Sequence, residues 1–243
     1  MTVRSGGYNP RNSTNEGVRT MANITAEQNG IELQGYLSEP EDQETKAGLI
    51  VIQEWWGLTD DIKEIADRYA VEGFLAFAPD MYHGGVATEP DEAKKLAMSM
   101  ERDLAAQEID AAIAWLKEEY GVSSVGCVGY CMGGGLTLAT AIRPSSNVDA
   151  VHVYYGGGMP SAEQIATIKV PVLGSYGAED GGIPAEQVDM LRETLTSSGV
   201  TNDITLYTGA EHSFFNDTRP AYNDDAAMDS WMKSVEWFDE YLT

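Results

Sequence analysis

The chain has 243 residues, 43% of them apolar, which is enough to bury one full hydrophobic core. Its 15 Lys and Arg stand against 39 Asp and Glu, and the resulting charge of −24 repels phosphate backbones and anionic bilayers, so nucleic acid and membrane surfaces are excluded as partners. No run of about eighteen apolar residues occurs and no apolar segment follows the few basic residues at the start, which predicts neither a membrane span nor a signal peptide and a cytoplasmic protein.

In chain order, residues 1–22 are polar, rich in Gly, Pro, Asn and Ser and without helical or strand periodicity, and they read as a flexible tail in which Met21 offers an alternative start. Residues 23–243 read as a single domain. The apolar run GLIVIQE is followed by Ile62, Ile65, Ala66, Tyr69 and Ala70 at helical spacing, then by the run GFLAFAP and a second helical set, Ile109, Ala112, Ile113 and Leu116. SSVGCVGY and the helical LTLATAI come next, then DAVHVYY, VPVLGSY and DITLYTGA, and last a helix carrying Trp231, Val235, Phe238 and Leu242. Short Val- and Ile-rich runs alternating with helices predict an α/β fold with a mostly parallel central sheet and helices on both faces. Reactive groups in such sheets collect at the carboxyl ends of the strands.

The segment Gly129-Tyr130-Cys131-Met132-Gly133 lies where a strand turns into a helix, the pattern of a nucleophile elbow with Cys in place of Ser. The helix N-terminus that follows favours a thiolate at Cys131. Cys127, in mid-strand, reads as core; the spacing of the two cysteines suits neither a disulfide nor a metal. A base is needed, and there are three histidines. His212 sits on a loop between a strand and the last helix, where a base belongs, whereas His152 falls inside a strand and His83 on a loop at a pocket mouth. The Gly-rich turn YGAEDGGIP supplies Asp180 as a candidate acid, with Glu179 as its competitor. The order Cys131, Asp180, His212 is that of α/β-hydrolases. Glu54, at the end of the GLIVIQE strand, is a buried carboxyl that needs a partner or a proton. The backbone N–H groups of Met132 and Trp55 are the expected oxyanion donors, and Trp56, Tyr82 and Tyr155 are candidate pocket walls.

On VIQEWWGL, GFLAFAPDMY, VGYCMGGGL, YYGGG, YGAEDGGIP and HSFFNDTRPAYNDDAA the chain resembles the dienelactone hydrolase family (carboxymethylenebutenolidase-like) from about residue 30 to the end. The resemblance implies an α/β-hydrolase fold without a large cap, a Cys-Asp-His triad in which it favours Asp180 over Glu179 as the acid, no cofactor, and hydrolysis of lactones or small activated esters through a thioester. It also implies that Glu54 contacts the resting thiol and moves aside when substrate binds. Family members that handle a carboxylated lactone carry Arg two residues beyond the Tyr of P-D-x-Y and four beyond the triad His; here those positions are Gly84 and Asn216, with Arg219 as the nearby substitute. A general small-ester carboxylesterase is the alternative within the fold. A thiol-redox role lacks a resolving partner if Cys127 is buried, and a non-catalytic binding protein would not need the three residues together. The acidity further predicts a halophilic, salt-adapted surface, whose self-repulsion is screened when the Debye length falls to about 3 Å at 1 M salt.

Overall fold

Asn29 and Gly30 both take positive φ, 54° and 79°. In the computed structural model, which describes residues 18–41 and 44–243, this two-residue turn folds β1 (Val18–Gln28) back on β2 (Ile31–Pro40) as an antiparallel hairpin. The expectation of a tail over residues 1–22 fails over its last five residues. Residues 18–22 belong to β1, where Met21 pairs with Ser38, while residues 1–17 lie outside the described residues. The strand is polar because it lies at the sheet edge and leaves one face in water, so its composition resembles that of a loop.

Six further strands build the parallel body: β3 (Gly48–Ile52), β4 (Leu75–Pro79), β5 (Val125–Tyr130), β6 (Ala150–Tyr154), β7 (Val172–Gly177) and β8 (Asn202–Tyr207). The order across the sheet is β1-β2-β4-β3-β5-β6-β7-β8, antiparallel from β1 to β4 and parallel from there on. From β3 to β7 every strand residue is buried, which is why each reads as an unbroken apolar run rather than an alternation.

The helices are α1 (Asp60–Val71), α2 (Pro90–Ser99), α3 (Arg102–Tyr120), α4 (Met132–Ile142), the single turn α5 (Ala162–Ile165), α6 (Ala185–Ser197) and α7 (Asp224–Leu242). The buried residues of α1 are the five that its periodicity singles out. Their faces are fixed at β5. A Cβ on Gly126 would stand 2.7 Å from Phe238 and 2.9 Å from Leu242 of α7, whereas the next residue, Cys127, turns its sulfur to Thr137 of α4 at 3.5 Å. Successive strand residues point to opposite faces, so α4 and α7 cover opposite sides of the sheet. On the α7 side Tyr69 of α1 packs against Trp231 and Phe238 at ring separations of 4.5 and 6.1 Å and shares a 2.6 Å hydrogen bond with Ser234. On the other side α3 meets α4 through the Asp110–Arg143 ion pair. With both faces covered, the open surface of the sheet's parallel part is the end where β3, β5, β7 and β8 run out into loops.

Candidate active site

β5 ends at Tyr130, and α4 starts at Met132. The single residue between them, Cys131, has φ 54° and ψ −112°, a conformation that L-residues rarely adopt. The turn is tight on both sides: a side chain on Gly129 would overlap Gly133 O and Thr137 Oγ1, and one on Gly133 would overlap the carbonyls of Ile52 and Gln53. Both glycines are thus required by close backbone approach. The Cys131 N–H donates to Tyr154 O (3.1 Å), which ties the elbow to the end of β6.

The loop after β8 brings His212 to the thiol. Its Nε2 lies 3.1 Å from Cys131 Sγ, and its Nδ1 donates to Asp180 Oδ2 at 2.6 Å. Asp180 stands in the turn after β7, where Oδ1 accepts from the N–H groups of Gly182 (2.8 Å) and Ile183 (3.2 Å). Burial works against the Asp180 charge, but the His212 hydrogen bond and the Gly182 N–H outweigh it and hold the carboxyl below its ordinary range. Burial likewise works against a charge on His212; Asp180 and Cys131 together overcome it and push the imidazole up to about 10. The competing acid, Glu179, is exposed to solvent.

Glu54, just past β3, is 2% exposed. Ser213 Oγ donates to its Oε1 at 3.2 Å and Asn216 Nδ2 to its Oε2 at 3.0 Å. Burial raises its pKa, the Asp61 charge raises it further, and the Asn216 and Ser213 donors pull it down, for a net rise. This differs from the contact implied by resemblance. Among the described residues the hydrogen-bond partner of the thiol is His212, because Ser213 and Asn216 offer the carboxyl two better donors than a thiol. Neither Ser213 nor Asp61 stands out in the sequence as a site residue.

Met132 is the first residue of α4, so its N–H has no acceptor within the helix, and the N–H of Trp55 donates to no backbone acceptor among the described residues. Tyr82 lies across the two positions, its hydroxyl 3.2 Å from both Trp55 O and Met132 Sδ. Burial first, then the Cys131 charge, push the Tyr82 phenol up to about 12. Tyr155 is fully buried, with its ring 5.1 Å from that of His212, and burial together with the charges of Glu54 and Cys131 keeps its phenol protonated. The arrangement brings a thiol, an imidazole, a carboxylate behind the imidazole and two backbone N–H donors together at the carboxyl end of the parallel strands.

Residues 33–242 match the family model of the dienelactone hydrolase family. The chain belongs to the dienelactone hydrolase family. It is 36% identical over 229 residues to "Protein usf" of Aquifex pyrophilus, covering 90% of this chain and 98% of that one. It is 34% identical over 230 residues to the "Putative carboxymethylenebutenolidase" of Aquifex aeolicus, with the same coverage. Among solved structures it is similar to the "Putative Dienelactone Hydrolase" of Klebsiella pneumoniae, at 27% identity and a TM-score of 0.81 over 92% of this chain and all of that one. The fold is that of the α/β-hydrolases, and membership makes the chain a carboxylic ester hydrolase.

Neither position at which the resemblance implies Arg carries a cation. Gly84, at φ 97°, faces open space and donates its N–H to Asp80 Oδ2 at 2.6 Å. Asn216 is buried and occupied with Glu54 and Asp61. Arg219 lays its guanidinium over the Trp56 ring, 4.0 Å from the centroid, and makes no ion pair among the described residues. Trp55 and Trp56 meet edge to face at 5.2 Å. The other histidines stand apart from the thiol. His152 is buried between Ser234 and Ser175 (2.8 and 2.9 Å), and His83 pairs with Glu108 at 2.6 Å beside a separate cavity of about 240 Å³.

Proposed function

We propose that Cys131, Asp180 and His212 form a nucleophile–acid–base triad that hydrolyses a neutral lactone or small activated ester through a thioester. The observation that carries this reading is the unbroken line Sγ–Nε2 and Nδ1–Oδ2, at 3.1 and 2.6 Å, ending on a carboxylate fixed by two backbone N–H groups. Asp180 and the neighbouring sulfur favour the protonated imidazole, up to about 10, and an imidazolium at this distance stabilises a thiolate for attack.

The thiolate adds to the acyl carbon, and the carbonyl oxygen takes the negative charge against the N–H groups of Met132 and Trp55. Collapse breaks the bond to the ester oxygen, which leaves as an enolate and takes the proton from His212, so that the imidazole is neutral again. Water, deprotonated by His212, then attacks the thioester; the acid is released and the sulfur returns to its pair. A thiolate expels good leaving groups more readily than alkoxides, which favours enol-lactones and activated esters. Gly84 and Asn216 leave no cation for a substrate carboxylate, and that favours a neutral substrate.

The test is a comparison of kcat/KM for a neutral p-nitrophenyl ester or enol-lactone with that for a dienelactone carboxylate, in the parent and in Arg219→Ala. The neutral substrate should be at least as good and the ratio insensitive to Arg219. A lost Arg–carboxylate contact is worth about 1.5–3 kcal/mol, roughly ten- to a hundredfold. A strong preference for the carboxylate, abolished in Arg219→Ala, would overturn the neutral-substrate reading.

A further inference from the structure

The amide of Asn216 is shared between two carboxyl groups. Its Nδ2 donates to Glu54 Oε2 and to Asp61 Oδ2, each at 3.0 Å, while its Oδ1 accepts from the N–H (3.0 Å) and the hydroxyl (2.6 Å) of Thr218. The side chain is buried, and all of its ordinary hydrogen-bonding capacity is used. It thereby joins the end of β3, the first turn of α1 and its own loop after β8. Those partners lie 162 and 155 residues away in sequence.

Glu54 is faced by Asp61 from α1, by His212, Ser213 and Asn216 from the loop after β8, and by Tyr155 from the end of β6, a residue that also lies close to Cys131. A carboxyl freed from this cage would have the elbow within its reach. Against the sulfur the ionised carboxyl repels the thiolate, so that a higher pH is needed to form it. The direction of the carboxyl therefore decides whether the resting thiol belongs to His212 alone.

We propose that Asn216 is a positioning residue that bridges Glu54 to Asp61, holding the buried carboxyl turned from Cys131, so that the thiol is reactive at rest and needs no anionic substrate group to displace Glu54. The proposal rests on the triad reading above and adds to it the reason a neutral substrate suffices. Asp61 contributes in two ways. It anchors the second N–H of the amide, and its charge disfavours ionisation of Glu54.

The experiment is the pH profile of iodoacetamide alkylation at Cys131, followed by mass spectrometry of its peptide, with ester hydrolysis measured beside it. Asn216→Ala should slow alkylation at neutral pH by about three- to tenfold and move the acid limb of the profile upward by about half to one pH unit. The double variant Asn216→Ala/Glu54→Ala should return the limb toward its parental position, since the group that Asn216 restrains is gone. Asp61→Ala, at a half-buried helix position that tolerates change, should shift the limb the same way by less. Asp60→Asn, whose side chain is 93% exposed, is the control and should not move it.

A parental profile in a folded Asn216→Ala protein overturns the proposal, and so does a shift that removal of Glu54 fails to reverse. If Asn216→Ala does not fold, an unshifted Asp61→Ala profile overturns it instead. Failure of the triad reading shows differently: hydrolysis would then survive complete alkylation of Cys131, whatever the profiles of the variants.

Discussion

Cys127 and Cys131 are four residues apart and face different media. Cys127 is fully buried against Thr137, and burial pushes its thiol up to about 12, whereas Cys131 is partly accessible beside an imidazole held charged to about pH 10. Limited iodoacetamide at pH 7 should therefore label Cys131 and spare Cys127, and hydrolysis should fall in proportion; equal labelling of both would remove the distinction. His212→Ala should cost orders of magnitude in turnover because the other two histidines are committed elsewhere, while His152→Ala should lower stability more than activity. The linked ionisations carry definite signs. The His212 pKa is raised in the folded protein, so its contribution to stability is complete below about pH 6.5 and is lost as pH rises toward about 10. Melting curves from pH 6 to 10 should thus fall less steeply in His212→Asn than in the parent. Glu54 has a raised pKa because burial outweighs the Asn216 and Ser213 donors and the nearby His212 charge, so the folded state is disfavoured progressively as pH rises above the ordinary value of 4.5. Relative to the parent, Glu54→Gln should gain melting temperature as pH rises from 4.5 to 7, at a cost in activity. A gap that does not change with pH would show that Glu54 carries no such penalty.

At the scale of elements, the elbow was legible because its requirements are local: a strand, a residue in an unusual conformation, and glycines two positions to either side. The structure adds what the glycines face. Gly133 meets the carbonyls of Ile52, the last residue of β3, and of Gln53, which cannot move without disturbing the β3–β5 pairing, so Gly133→Ala should cost about 1–3 kcal/mol and displace Cys131. Thermal melts and the alkylation rate of Cys131 would check both. The parallel strands were legible for a similar reason, burial on both faces. The edge hairpin was not read, because one wet face gives β1 the composition of a loop; the Asn29-Gly30 pair was the available signal. The shorter helix α2 was also missed, since Ala93 is its only buried residue and leaves no apolar stripe to detect. The partners of Glu54 were beyond sequence reasoning of this kind, because the choice between a thiol and the donors of Ser213 and Asn216 is made by tertiary contact between residues about 160 positions apart.

For the whole molecule the dominant fact is the charge of −24. Its effect is visible around α1, where burial and then the neighbouring Asp217, Asp61, Asp67 and Asp60 raise the Glu64 carboxyl pKa above its ordinary value. Such crowding is repulsion that salt screens. We expect the melting temperature to rise between 0.05 and 2 M KCl, by about 2–4 °C for each kcal/mol of repulsion relieved; a flat response would count against salt adaptation. The same surface also disfavours anionic substrates at low salt, in line with the missing cations at Gly84 and Asn216.

The central claim is that Cys131 is the nucleophile of a two-step hydrolysis, and trapping the acyl group tests it most directly. The enzyme would be mixed with a slight excess of p-nitrophenyl acetate, quenched in acid within the first turnover, digested and read by mass spectrometry, with His212→Ala as a slow-deacylating companion. The account predicts a burst of p-nitrophenol stoichiometric with enzyme and an acetyl group on the Cys131 peptide, absent from Cys131→Ala, which should also be inactive. Hydrolysis that proceeds at the parental rate in Cys131→Ala, or an acetyl group found only on another residue, would contradict it.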